Sequence, residues 1–382
     1  MTAVRAFLLL LVAAAAAAAE PAPLLVFLGS GAEPFAAVAS ARGWEFAAVP
    51  EALPGDPAVR QIEAAVAQAG KRRPIDPART YLMGRGITTA AVFYTVSRRP
   101  DLWAAAVAAG GSVEPAIETN RLFGASARLV PILWAVSPEE QEQSAAVRAR
   151  LTAKGFDLQL RGSSVTIPEA FDWLAGRKRE AYPYTVDCET GSPEFVSCYW
   201  LRITGFDPAA RNDVLAQSRI SPGSGAYLTL GRFGYNLDTP GPGVLVSWLP
   251  PDYKGPLQLD DRILSIGGTH IKDARDFVAF LAVQTDERLL GVIVARGKER
   301  FRLESRIELA KREEVFTARV RGQYLMDSHQ LLLITRGTAA LHLDLPSYWT
   351  PCAVNWNGID AGTADGPGCW AVTLGGKAQK CQ

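Results

Sequence analysis

Acyl transfer needs a nucleophile and a base within reach of each other, and one run is built like a place to mount a nucleophile: Thr80-Tyr81-Leu82-Met83-Gly84-Arg85-Gly86-Ile87-Thr88-Thr89-Ala90-Ala91-Val92. An apolar strand ends at Gly84, and a helix of Ala, Val and Phe opens two or three residues later. A turn of this kind with G-x-S-x-G spacing exposes its central residue at the apex. Here that residue is Gly86, which has no side chain. The base is missing too, because the three histidines, His270, His329 and His342, all lie well beyond this stretch. Hydroxyls remain at Ser30, Thr88, Thr89, Ser163 and Ser164, and carboxylates at Glu139 and Glu140. Ser and Thr beside helix starts ordinarily serve as caps, and a hydroxyl without a base is a weak nucleophile at neutral pH. No catalytic set is expected.

Five cysteines offer a second kind of chemistry. Cys188 and Cys198 bracket a turn-like stretch, and Cys352 and Cys369 bracket a Gly- and Asn-rich loop, so the spacing predicts these two disulfides and leaves Cys381 over. Each closed loop would stabilise by roughly 3 kcal/mol on the chain-entropy model. A zinc site is not expected, since no C-x-x-C pair occurs and the histidines are sparse. No cofactor is expected either.

At 382 residues the chain is long enough for two or three domains. With 48% hydrophobic and 21% charged residues it reads as globular. A formal net charge of +1, and basic runs no longer than Lys71-Arg72-Arg73 and Arg177-Lys178-Arg179, exclude the electrostatic footprint of a nucleic-acid binder. Residues 1–19 carry Arg5, an apolar Phe7–Val12 core and an alanine run before Glu20-Pro21, which predicts a cleavable signal peptide. A secreted or periplasmic protein is expected, with no stable membrane span, since no second apolar run of about 18 residues follows.

The elements needed to position the elbow are legible around it. Leu24–Leu28 is a continuous apolar run stopped by Gly29-Ser30-Gly31, as a strand buried on both faces should be. A helix is expected over 37–42, strands over 44–50, 103–109 and 130–136, and a helix from Asp56 to Gly70 with Val59, Ile62, Ala65 and Val66 on one stripe. Strands alternating with helices predict an α/β, doubly wound parallel sheet over 20–180. The flanks Ile75-Asp76-Pro77 and Arg99-Pro100-Asp101-Leu102-Trp103, with Gly110-Gly111 beyond, make the region resemble the esterase group containing polyhydroxybutyrate depolymerases and feruloyl esterases. The resemblance implies an α/β-hydrolase fold. It also implies that Leu28 stands where the family has an oxyanion-hole His, and Ser163 or Ser164 where it has the catalytic His.

After Arg179 the pattern becomes β-rich. Residues 181–220 read as a connector with strands at 199–203 and 214–220. Over 221–308, Gly231-Arg232-Phe233-Gly234-Tyr235, Gly243-Val244-Leu245-Val246 and Leu259-Asp260-Asp261-Arg262-Ile263-Leu264-Ser265-Ile266 resemble a PDZ domain, with Asp260 where that pattern has Gly. The resemblance implies that Phe233, Gly234 and Tyr235 form a carboxylate-binding loop, with Arg232 adding charge, and that peptide or protein C-termini are the partners. A small β domain is expected over 309–382. The reading is an exported, non-catalytic esterase-like protein with a peptide-binding PDZ module. The alternative is an esterase of polyesters or plant-wall esters working through non-standard residues.

Overall fold

Continuous apolar runs separated by amphipathic segments leave few arrangements other than a covered parallel sheet, and the computed structural model has one. It describes residues 20–212, 214–223, 225–311 and 315–381; the expected signal peptide lies outside them. The chain divides into two units, 1–220 with 316–382, and 221–315.

The first unit opens with β1 (Ala22–Leu28), α1 (Glu33–Ala41), β2 (Glu45–Val49), α2 (Asp56–Arg72), β3 (Ile75–Arg85), α3 (Thr89–Arg98) and β4 (Ala105–Ala109). It continues through α4 (Glu114–Glu118), α5 (Gly124–Ala127), β5 (Ile132–Ala135), α6 (Gln141–Lys154), β6 (Leu158–Arg161) and α7 (Ile167–Ala175). The six strands pair in the order β2-β1-β3-β4-β5-β6, all parallel. This is the doubly wound order 2-1-3-4-5 with one strand added. Leu24 to Leu28 are fully buried, with one apolar cluster on each face of the sheet, so alternation is absent from β1. The exposed edge at β2 is blunted by arginines: Arg72 donates to the Phe46 carbonyl at 3.0 Å and Arg73 to that of Gly43 at 3.1 Å.

The chain then forms β7 (Thr185–Thr190), β8 (Ser197–Cys198) and β9 (Leu201–Phe206). It leaves for the second unit: β10 (Tyr227–Leu228), β11 (Val244–Leu245), β12 (Arg262–Ile266), β13 (Thr269–His270), α8 (Ala274–Ala282), β14 (Arg288–Arg296) and β15 (Glu299–Glu308). On return it makes β16 (Ala318–Leu325), β17 (Gln330–Arg336), β18 (Thr338–Leu345), β19 (Cys352–Trp356), β20 (Ile359–Ala364), β21 (Gly368–Thr373) and β22 (Gln379–Lys380). The sheets β20-β19-β17-β16-β7 and β22-β21-β18-β9-β8 contribute to one core that includes Trp200, Trp349, Trp356 and Trp370. The stretch read as a connector and the C-terminal stretch therefore build this two-sheet body together.

Two expectations are corrected here. Residues 214–220 form no strand; Arg219 alone makes a bridge, to Phe123. The backbone bonds there go elsewhere, with Ser218 N–H and hydroxyl both donated to the Glu189 carboxylate, at 2.7 and 2.6 Å, and its carbonyl accepting from Gly124. Cys188 and Cys198 are joined as expected, but Cys369 is bonded to Cys381, and Cys352 is a buried free thiol. Cys352 and Cys369 lie on different sheets, whereas β22 pairs with β21 and brings Cys381 beside Cys369, its N–H donating to the Cys369 carbonyl at 3.0 Å.

In the second unit the strand order is β10-β15-β14-β12-β11, with β13 paired to β12. Asp273 caps α8 by accepting from the Asp276 N–H at 2.9 Å. Asp260 adopts φ +67°, so the aspartate takes the left-handed conformation at the place where the resembled pattern has glycine.

Candidate functional site

The elbow forms where the sequence places it. β3 ends at Arg85, a single 3-10 turn covers Gly86–Thr88, and α3 starts at Thr89. Gly86 sits at φ +60°, and a Cβ built on it would meet nothing within 4 Å. Gly86 thus stands at the apex of the turn, with open space where a side chain would be. Beside it, at the carboxyl ends of the strands, is a cavity of about 490 Å³ whose lining includes Arg85, Gly110, Ser137, Glu140, Ser164 and Thr166.

Several polar groups around this cavity are occupied in holding the turns. Thr88 Oγ1 accepts from the Arg85 N–H at 2.9 Å and donates to the Leu28 carbonyl at 2.8 Å. Thr89 Oγ1 donates to the Gly110 carbonyl. Ser163 Oγ accepts from Arg161 at 2.8 Å, and Arg161 also reaches Glu169 at 3.2 Å. Glu140 accepts from the Ser137 N–H at 3.3 Å, and Thr166 with Glu169 forms the capping box of α7. Hydrogen bonds from the backbone and hydroxyl of Thr166, then from Arg161, lower the Glu169 carboxyl to about 2. The Glu139 carboxyl is also held below its ordinary value, by a backbone N–H and by Ser137. A carboxylate stabilised in its charged form is a poor base. Leu28 is fully buried in the sheet, and Ser30 is exposed. These positions are brought to one end of the sheet, but no nucleophile–base hydrogen bond joins them among the described residues.

The second unit holds a groove of about 560 Å³. One wall is the loop carrying Gly231, Arg232, Phe233 and Tyr235; others come from Tyr227 and Leu228 of β10 and from Phe277 and Leu281 of α8. Tyr235 packs edge-on against Phe277 with ring centroids 5.4 Å apart, and Phe233 lies 6.2 Å from the same ring. Arg232 is exposed at the rim, its guanidinium 5.8 Å from the Trp248 ring centre. Gly234 does not line the groove. Its N–H donates to the Trp248 carbonyl at 2.8 Å, and a Cβ on it would come within 3.1 Å of Trp248 Cβ. A side chain at this position would therefore press on Trp248 inside the unit.

No family model matches the chain, and no curated protein does. Among solved structures, a thermostable esterase is similar at 18% identity over 42% of this chain and 56% of that one, with a TM-score of 0.32. The enterobactin esterase of Shigella flexneri is similar at 12% identity over 41% and 50%, TM-score 0.29. The ferric enterobactin esterase of Salmonella typhimurium is similar at 17% identity over 42% and 49%, TM-score 0.30. This chain spans about half the length of those proteins. Among the described residues no helix is long and apolar enough to cross a membrane.

Proposed function

We propose that this is an exported, non-catalytic protein of α/β-hydrolase-like fold whose second unit is a PDZ-like module that binds peptide or protein C-termini. The observation that carries the reading is the groove between the 231–235 loop and α8. It is apolar along Phe233, Tyr235, Phe277 and Leu281, and bears one exposed cation, Arg232, at its rim. A chain end offers the matching pair of features, an apolar last side chain and a carboxylate, and backbone N–H groups at a turn are suited to the latter. The empty apex at Gly86 and the Thr88 and Thr89 hydroxyls bonded to backbone carbonyls beside it support a fold kept as a scaffold. The two disulfides support residence in an oxidising compartment.

A library of peptides with free C-termini, screened against the full-length protein, tests the proposal. Binders are expected near the micromolar range that ~8 kcal/mol allows. Amidating the terminus, or Arg232→Glu in the protein, should weaken them more than tenfold. Affinity unchanged by both, or no binder from the library, would refute peptide-end recognition.

A further inference from the structure

A feature of the β18–β21–β22 sheet belongs to neither site. Leu341, Leu343 and Leu345 on β18, and Trp370 and Val372 on β21, are buried in the two-sheet core. Side chains alternate along a strand, so His342 and Asp344 on β18 and Cys369 on β21 face the other way. The register sets Asp344 opposite Cys369 and His342 opposite Ala371, which places the imidazole one step diagonally from the cysteine. Pairing of β22 with β21 and the Cys369–Cys381 bond bring Cys381 to the same place. One ligand atom from each of His342, Cys369 and Cys381 lies within 4.8 Å of the other two. Sparse in the sequence, these residues are gathered by the sheet.

We propose that this cluster is a redox-gated site for a soft metal ion of the zinc class, closed while Cys369 and Cys381 are a disulfide and opened by its reduction. Two thiolates and an imidazole are the donor set that soft and borderline metals prefer, and two thiolates neutralise a divalent ion. Tetrahedral zinc with bonds of ~2.3 Å to sulfur and ~2.0 Å to nitrogen needs ligand atoms about 3.5 Å apart. The three ligand atoms lie within 4.8 Å of one another while the sulfurs are bonded; reduction frees the two sulfurs to part, and Cys381 follows a two-residue strand.

The balance is simple. A trialkylphosphine attacks the S–S bond, water supplies the oxygen of the phosphine oxide, and two thiols result. Metal binding then displaces their two protons. Cys188 and Cys198 are each 4% exposed, while Cys369 and Cys381 are partly exposed, so the reductant reaches the second pair first.

Three protein ligands leave a fourth position, as in catalytic rather than structural zinc sites. His342 and Cys369 also line a polar pocket of about 400 Å³ shared with Arg99, Asp101, Tyr199 and Asp344. Tyr199 adopts φ +57°, an outlier for a bulky residue, and its buried hydroxyl has no hydrogen-bond partner among the described residues. A water or small anion on the metal would enter this pocket.

The test uses the full-length protein, oxidised or treated with a trialkylphosphine under argon, incubated with zinc and desalted. One equivalent of zinc should be retained by the reduced protein and none by the oxidised protein. Cobalt(II) should give near-ultraviolet thiolate charge-transfer absorption in the reduced sample alone. His342→Ala, on the outward face, keeps every thiol and should bind zinc at least tenfold more weakly. Failure of the reduced protein to retain zinc for any reason, loss of the C-terminal strands included, overturns the proposal. So does equal retention by the oxidised protein, or full affinity in His342→Ala, which would put the ion on other thiols.

Discussion

The N–H of Gly234 donates to the carbonyl of Trp248 at 2.8 Å, and the Gly234 Cα lies so close to that residue that an added Cβ would sit 3.1 Å from Trp248 Cβ. A glycine in the motif that suggests ligand approach is thus committed to an internal contact. Gly234→Val should then destabilise by ~1–3 kcal/mol, as overpacking does, and shift the unfolding transition of the second unit. Arg232→Glu alters an exposed residue and should stay within about ±0.5 kcal/mol. Thermal scans of the full-length variants separate the two. An unshifted Gly234→Val would show that the Trp248 contact is not confining.

The elbow predicts a negative result that can fail. Purified protein should not hydrolyse p-nitrophenyl acetate or feruloyl esters above a heat-denatured control, and a fluorophosphonate probe should label nothing. Gly86→Ser supplies a hydroxyl to the open space at the apex but no base, so it should remain inactive. Its backbone at φ +60° should cost ~1–2 kcal/mol with a side chain present. Probe labelling of either protein at residues 80–90, or at Ser163 or Ser164, would revive a rewired hydrolase.

Much of the α/β sheet was legible because a buried strand such as Leu24–Leu28 is a continuous apolar run, and a helix such as Asp56–Arg72 carries its buried residues on one stripe. The elbow was legible for the same local reason. The run 214–220 was misread because its strand-like composition is overridden from far away. Glu189, fully buried in its side chain, accepts from Ser218, from Thr317 at 2.6 Å and from Arg336 at 3.0 Å. These donors come from separate parts of the chain. No periodicity records that meeting. Cys352 failed for a related reason: spacing to Cys369 is a property of the chain, whereas bonding follows which strands share a sheet. The role of Gly234 needed the position of Trp248, which motif spacing does not give.

Acid should loosen the second unit through Asp261. Its carboxylate is fully buried and accepts from Arg296 at 2.8 Å in two bonds and from the Gln258 N–H at 2.7 Å. Burial alone would raise this carboxyl, but those donors outweigh it and hold it below its ordinary value of 3.8. An unfolded chain then binds the proton more readily than the folded one. The stabilisation is complete above the ordinary value and is lost as pH falls through the lowered folded value. Thermal midpoints measured from about pH 6 down to pH 2 should fall below about pH 4. Asp261→Asn should lower the midpoint at pH 6 and flatten that acid limb. An acid limb as steep in Asp261→Asn as in the parent would assign the loss to other carboxylates.

The last prediction concerns Cys352. It lies on β19 within the two-sheet core, 1% exposed, and burial pushes its thiol up to about 11. Thiolate, not thiol, reacts with alkylating and disulfide-exchange reagents. Unreduced native protein should therefore yield no reactive thiol at pH 8, and one per chain once denaturant exposes the core. Peptide mapping after alkylation in denaturant should place the label on Cys352, with Cys188 linked to Cys198 and Cys369 to Cys381. Cys352→Ser leaves both disulfides intact but sets a hydroxyl among apolar neighbours. Its cost should be ~1–3 kcal/mol unless the hydroxyl finds a partner. A label on Cys381 with Cys352 linked to Cys369 would restore the pairing that spacing alone suggests, and would require β19 and β21 to pack differently across the core.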